Sequence, residues 1–206
     1  MEKFDIKKAH KALYAPTAGK FTVVDIPSLN YFMIDGAGDP NTAPDYKAAV
    51  EALYAASYTL KFMSKTVQRR DYVVPPLEGL WWAADMTDFV ARRKHRWHWT
   101  MMIAVPDFVA PPLAEQAIVK AMEKKALPAL RRLRFEKLNE GQAVQILHVG
   151  AYDDEGPILK TLHEEFLPAH RLVPSGHHHE IYLSDPRRMP PEKLKTVLRQ
   201  PVRAAI

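Results

Sequence analysis

The sequence predicts an α+β protein built from a tandem pair of βαββ units. Three observations lead there. The order strand, strand, loop, helix, strand, strand occurs twice along the chain. The strand segments alternate with period two, whereas the segments between them carry apolar residues at helical spacing. A glycine-bearing loop recurs in each half, as Gly36-Ala37-Gly38-Asp39 and Gly150-Ala151-Tyr152-Asp153. One helix cannot bury a sheet alone, so two such units are expected to pair into one body. The whole chain, 1–206, then reads as one domain, with approximate repeats 20–105 and 134–203 joined by a linker helix over 113–133.

The elements follow in order, punctuated by 17 prolines and 8 glycines. Residues 1–17 are polar, with a short helical possibility around Ile6 to Leu13. Phe21 to Ile26 and Tyr31 to Ile34 read as two strands of the first repeat. A turn-rich loop through Asp39-Pro40 leads to a helix from Pro44 to about Ser64, with Thr42 as a possible cap. Tyr46, Val50, Leu53, Ser57 and Leu60 form its stripe, with Tyr54 and Tyr58 beside it. Leu80 to Ala83 and Trp97 to Val105 are β-favouring. In the second half, Leu113 to Leu133 reads as helical despite Pro128. Phe135 to Leu138 and Val144 to Val149 read as strands, then a helix from Ile158 to about Ala169. His178 to Leu183 and Leu194 to Val202 close the chain as strands.

Composition narrows the function. Hydrophobic residues at 47% and charged residues at 26% fit an ordered globular chain. The absence of cysteine excludes disulfides, thiolate zinc sites, iron–sulfur ligation and a cysteine nucleophile. A net charge of +5 raises nucleic acid as a partner. Its basic clusters are short and separated by acidic residues, with no zinc-finger spacing or helix-turn-helix segment. Solvated loops and helix ends explain them, so no nucleic-acid partner is expected. No apolar run reaches the ~18 residues of a membrane helix, and no signal-peptide core precedes the first repeat. A cytoplasmic protein without membrane association is the expectation.

Several residues invite chemistry. Trp81, Trp82, Trp97 and Trp99 sit close in sequence, and neighbouring strand residues point to opposite faces, so Trp81 and Trp82 cannot share one core. Core packing and an aromatic pocket wall both remain open for this group. His177-His178-His179 is a poor metal motif, because alternate residues diverge; solvated strand-entry histidines and no metal are expected. In His179-Glu180-Ile181-Tyr182-Leu183, Ile181 and Leu183 are expected to face the helix. Glu180 and Tyr182 then occupy the other face, where a desolvated carboxylate wants a cation or a hydroxyl donor. Tyr152 lies in an acidic loop and could carry its hydroxyl to a pocket rim. Serine-hydrolase elbows, phosphate loops and dinucleotide fingerprints are missing, and no cofactor is expected.

Ile34-Asp35-Gly36-Ala37-Gly38-Asp39-Pro40-Asn41, Leu53-Tyr54 with Tyr58 and Lys61, and Pro76 to Trp82 together resemble the stand-alone branch of the GyrI-like small-molecule-binding proteins. His148 to Tyr152 with Glu155-Gly156-Pro157, and His179 to Leu183, match it too, and the resemblance spans roughly residues 20 to 200. It implies a pseudo-twofold pair of βαββ units with a ligand groove between them, as in the effector-binding parts of multidrug-sensing regulators. One subfamily hydrolyses cyclopropane-containing DNA-alkylating compounds within an aromatic cage. Carried over, Glu180 matches the pocket glutamate and Tyr152 the loop tyrosine, the two catalytic candidates. Trp82, with Trp81 as alternative, matches the paired-tryptophan position; Tyr54, Tyr58, Trp97, Trp99 and Tyr182 are further candidates for ligand contact. A hydrolase and a non-catalytic binding or sensing protein both remain open. The partner implied is a small molecule, and the oligomeric state stays open.

Overall fold

The computed structural model describes residues 3–85, 88 and 91–205. The chain divides into two compact units: residues 1–9 with 28–138, and 10–27 with 139–206. Its strands are β1 Thr22–Ile26, β2 Leu29–Ala37, β3 Leu77–Ala83, β4 Trp97–Val105, β5 Arg134–Leu138, β6 Gly141–Val149, β7 Leu172–Pro174, β8 His178–Tyr182 and β9 Lys195–Ala204. The longer helices are α1 Pro44–Met63, α2 Pro111–Lys124 and α3 Gly156–Thr161. The last continues through a π-helical turn, Leu162–Phe166, into Leu167–Ala169. Strands and helices in this proportion make an α+β fold, as predicted.

In the first unit the antiparallel strand order is β5-β2-β4-β3. Pro44 stands at the first turn of α1, where its missing N–H costs nothing and its fixed φ favours helix entry. Ala43 occupies the cap position expected of Thr42. The buried side of α1 is built from Ala49, Ala52, Leu53, Ala56 and Leu60, and its small residues let the helix lie close on the strands. Lys61 near its end donates to the Asp71 carboxylate and the Tyr72 carbonyl, fixing the return of the chain toward β3. The helix expected over 113–133 stops at Lys124. Leu127 is extended because it precedes Pro128, whose ring disfavours helical geometry there, and a 3-10 turn follows over Pro128–Arg132.

In the second unit the order is β1-β6-β9-β8, with β7 on the end of β9. Here the structure departs from the predicted repeats. β1 pairs with β6 and β5 pairs with β2, so the leading strand of each repeat belongs to the other unit. The cause is local. Only Pro27 and Ser28 separate β1 from β2, and a two-residue hairpin needs residues that accept positive φ. Pro27 fixes negative φ, so the chain runs on instead of folding back.

Several of the basic residues are paired with acidic groups. Arg93 and Arg96 reach Asp88, Arg132 grips Asp45 with two nitrogens, Arg134 bridges Asp35 and Glu136, and Arg187 holds Asp185. Among the described residues no helix is long and apolar enough to cross a membrane.

Candidate functional site

β8 organises the chemistry of the second unit. Alternation places His178, Glu180 and Tyr182 on one side, with His179 and Ile181 on the other. The ladder extends that side: Glu180 faces Leu198, Tyr182 faces Thr196, and across β9 these face Ile146 and His148. Further along β9 the same alternation reaches Val202, which packs with Val144, Leu162 and Leu167. Glu180 therefore lies on the side covered by the helical segment. The predicted alternation is observed, but its sense is reversed: Ile181 faces away from the helix. In the structure the far side is covered as well, by the one-turn helix Lys11–Tyr14, whose Ala12 and Leu13 carbonyls accept from Gln145 and Arg199.

Glu180 has a neighbour at each carboxylate oxygen, and Tyr182 supplies the hydrogen bond. Tyr182 donates its hydroxyl to Oε2 at 2.7 Å, and His178 Nε2 lies 3.3 Å from Oε1. The Tyr152 ring meets Tyr182 edge-on, with centroids 5.6 Å apart. Burial, and then the negative charges of Glu155, Glu180 and Asp185, push the Tyr152 hydroxyl up to about 12. It stays protonated. The His148 ring contacts the Ala151 carbonyl at 3.0 Å, tying down the loop that presents Tyr152. Gly150, at φ +152°, makes room for that ring, since a Cβ there would stand 3.0 Å from His148 Cε1. His163 approaches from the π-helical turn; burial, and then the charge of His178, lower its pKa.

The histidine run departs from its reading. His177 is exposed, but His178 and His179 are buried, so they are not solvated strand-entry residues. His179 Nδ1 lies 2.9 Å from Glu140 Oε1, and Arg199 Nη1 donates to Glu140 Oε2 at 3.3 Å. Burial alone would raise the Glu140 carboxyl. The charges and hydrogen bonds of His179 and Arg199 outweigh it and hold the group at about 2. This network sits on the side of β8 away from Glu180 and braces the strand from behind.

In the first unit the tryptophans divide as alternation requires. Trp81 and Trp99 are buried on the α1 side, and Tyr46 packs on both, at 6.1 and 5.4 Å between centroids. Trp97 packs edge-on against Trp81 at 5.8 Å. Trp81 and Trp99 form the core beneath the start of α1, and the half-buried Trp97 lies at its edge. Trp82 points to the other side and stacks on His98 at 5.8 Å. Of the two neighbouring tryptophans, Trp82 is the one turned away from α1, whereas Glu180 lies on the helix side of its own unit. Tyr54 and Tyr58 lie 6.4 Å apart on α1, Tyr58 half exposed.

The structure brings together Glu180, Tyr182 and Tyr152 of the predicted set. Sequence reasoning passed over His178 and Thr196, although His178 stands two residues from Glu180, and the same alternation could have found it.

Over residues 19–203 the chain matches the GyrI-like small molecule binding domain. It belongs to the GyrI-like family. The GyrI-like chain is 39% identical to an uncharacterized conserved protein from Listeria innocua, with a TM-score of 0.86 over 98% of this chain and 100% of that one. A hydrolase from Listeria innocua is 38% identical, with a TM-score of 0.83 over the same shares of the two chains. The C-terminal domain of EcmrR, 12% identical with a TM-score of 0.56 over 90% of this chain and 98% of that one, shares the fold alone. No functionally curated protein matches this GyrI-like chain.

Proposed function

We propose that this GyrI-like protein binds flat, hydrophobic or cationic foreign molecules beside β8 and hydrolyses cyclopropane-containing alkylating compounds among them. The observation that carries the reading is the grouping of Glu180, Tyr182 and Tyr152: a carboxylate hydrogen-bonded by Tyr182, beside a phenol that stays protonated. The hydrolase among its relatives supports the same direction. Aromatic rings give a flat ligand its stacking surface, and the carboxylate favours positive charge.

For a spirocyclopropyl dienone the chemistry balances simply. Water oxygen bonds to the cyclopropane methylene as the carbon–carbon bond opens. The released electron pair passes through the ring to the dienone oxygen, which becomes a phenolate as the ring gains aromaticity. Glu180 takes the proton from water, and Tyr152 donates a hydrogen bond to the developing oxyanion. A proton then returns from Glu180 through solvent to the phenolate. Strain release means that little activation of the nucleophile is needed, so one oriented carboxylate suffices.

Glu180→Gln tests this, since it keeps shape and removes charge. Hydrolysis of a spirocyclopropyl dienone, followed by product analysis, should slow by the equivalent of ~1.5–3 kcal/mol, the worth of a hydrogen bond to a charged group. Unchanged hydrolysis would remove Glu180 from the chemistry. Binding of the dienone without any product would make the protein a sequestering or sensing domain.

A further inference from the structure

Thr196 lies on the same side of β9 as Glu180 lies on β8, directly across from Tyr182 and beside His148 on β6. Its side chain is fully buried, and among the described residues its Oγ1 has no hydrogen-bond partner. A buried hydroxyl of this kind destabilises the folded chain unless something else satisfies it. Valine has nearly the same shape and would remove that penalty. The position therefore carries a polar atom that no described protein group uses, one strand pair from the carboxylate that Tyr182 holds. On a shared face, side chains of neighbouring strands directly opposite or diagonal lie within reach of a single bridging water.

From this placement we infer that Thr196 is a positioning residue: its Oγ1 holds the water that Glu180 deprotonates. The inference rests on the hydrolytic reading above and adds the second anchor of the nucleophile. Tyr182 fixes the carboxylate, and Thr196 fixes the oxygen it acts on. Two anchors define a direction of attack where one leaves the water free to rotate. Thr196 needs no change of protonation for this role; its hydroxyl accepts from or donates to water while Glu180 takes the proton.

Three variants of the full chain, Thr196→Val, Thr196→Ser and Glu180→Gln, separate the possibilities. In hydrolysis of a spirocyclopropyl dienone, Thr196→Val should lose ~10-fold in kcat with KM nearly unchanged, and Thr196→Ser should stay within ~3-fold of the parent. The thermal midpoint of Thr196→Val should stay close to the parent's, because the hydroxyl and the water bonded to it are lost together. A crystal structure of the ligand-free protein should show an ordered water bonded to Thr196 Oγ1 and facing Glu180. Opposite results overturn the inference: no water at Thr196 Oγ1, a lower midpoint for Thr196→Val with unchanged kcat, or equal losses in the valine and serine variants. If Glu180→Gln alone is inactive, the hydrolytic reading stands and the role of Thr196 falls. If Glu180→Gln is fully active, the hydrolytic reading itself falls.

Discussion

The two units use one strand pattern for opposite purposes. In the first, Gly38 donates its N–H to the Trp97 carbonyl; in the second, Gly150 donates to Leu194, and both glycines have positive φ. Counting inward from these anchors, Gly36 corresponds to His148, Trp99 to Thr196, Trp81 to Tyr182, and Gly79 to Glu180. The helix side of the first unit is thus glycine and tryptophan, and that of the second is histidine, threonine, tyrosine and glutamate. The glycines are there for the indoles. A Cβ on Gly36 would stand 2.1 Å from the Trp99 ring, and one on Gly79 would stand 2.8 Å from Trp81 Nε1. Where one unit fills its side with aromatic bulk, the other spends the same register on polar groups. The scaffold fixes positions, and the residues placed on them decide whether a position packs or reacts.

Removing the bulk from the first unit gives the largest effect. Trp99→Ala should cost about 3–5 kcal/mol in chemical denaturation, as for a large aromatic lost from a core. A cost below ~1 kcal/mol would make Trp99 a wall instead of core. The second unit should answer to acid instead. Glu140 has its folded value depressed to about 2 from an ordinary 4.5. Its contribution to stability is therefore complete above about 4.5 and is lost as pH falls toward 2. Glu140→Gln should flatten that limb of a stability-against-pH curve; an unchanged limb would place the acid sensitivity elsewhere. The smallest effect belongs to Tyr152→Phe. It removes one donor and should slow dienone hydrolysis by the equivalent of ~0.5–1.5 kcal/mol while leaving the midpoint of unfolding in place. A large loss of stability would instead make the hydroxyl a structural tie.

Much of this was legible in the sequence because periodicity is local. The long α1 stripe, the separation of Trp81 from Trp82 and the grouping of Glu180 with Tyr182 all follow from spacings of two or of three and four. What periodicity lacks is the identity of the partner. It cannot say which side of β8 the helical segment takes, so Ile181 was turned the wrong way. Nor could it find that His179 belongs with Glu140 and Arg199, residues 39 and 20 positions away along the chain. The glycine loops show the same limit. Matched by letters, Gly36 pairs with Gly150; matched by hydrogen bonds, Gly38 does, two residues later. Loop lengths differ between the halves, and only the ladder fixes the frame.

The exchanged leading strands have a consequence for biosynthesis. β1 is made early, but Thr22 pairs with Gln145, ~120 residues downstream. At ~5–20 residues per second, that segment waits roughly 6–25 s on the ribosome before its neighbour exists. β5, the last strand of the first unit's ladder, leaves the ribosome ahead of β6. The nascent chain therefore carries an early strand with no edge to join while the other unit closes. Severing the chain between the repeats would leave each fragment holding a strand that belongs to the other. Laced in this way, the chain cannot be cut at that point into two self-sufficient halves.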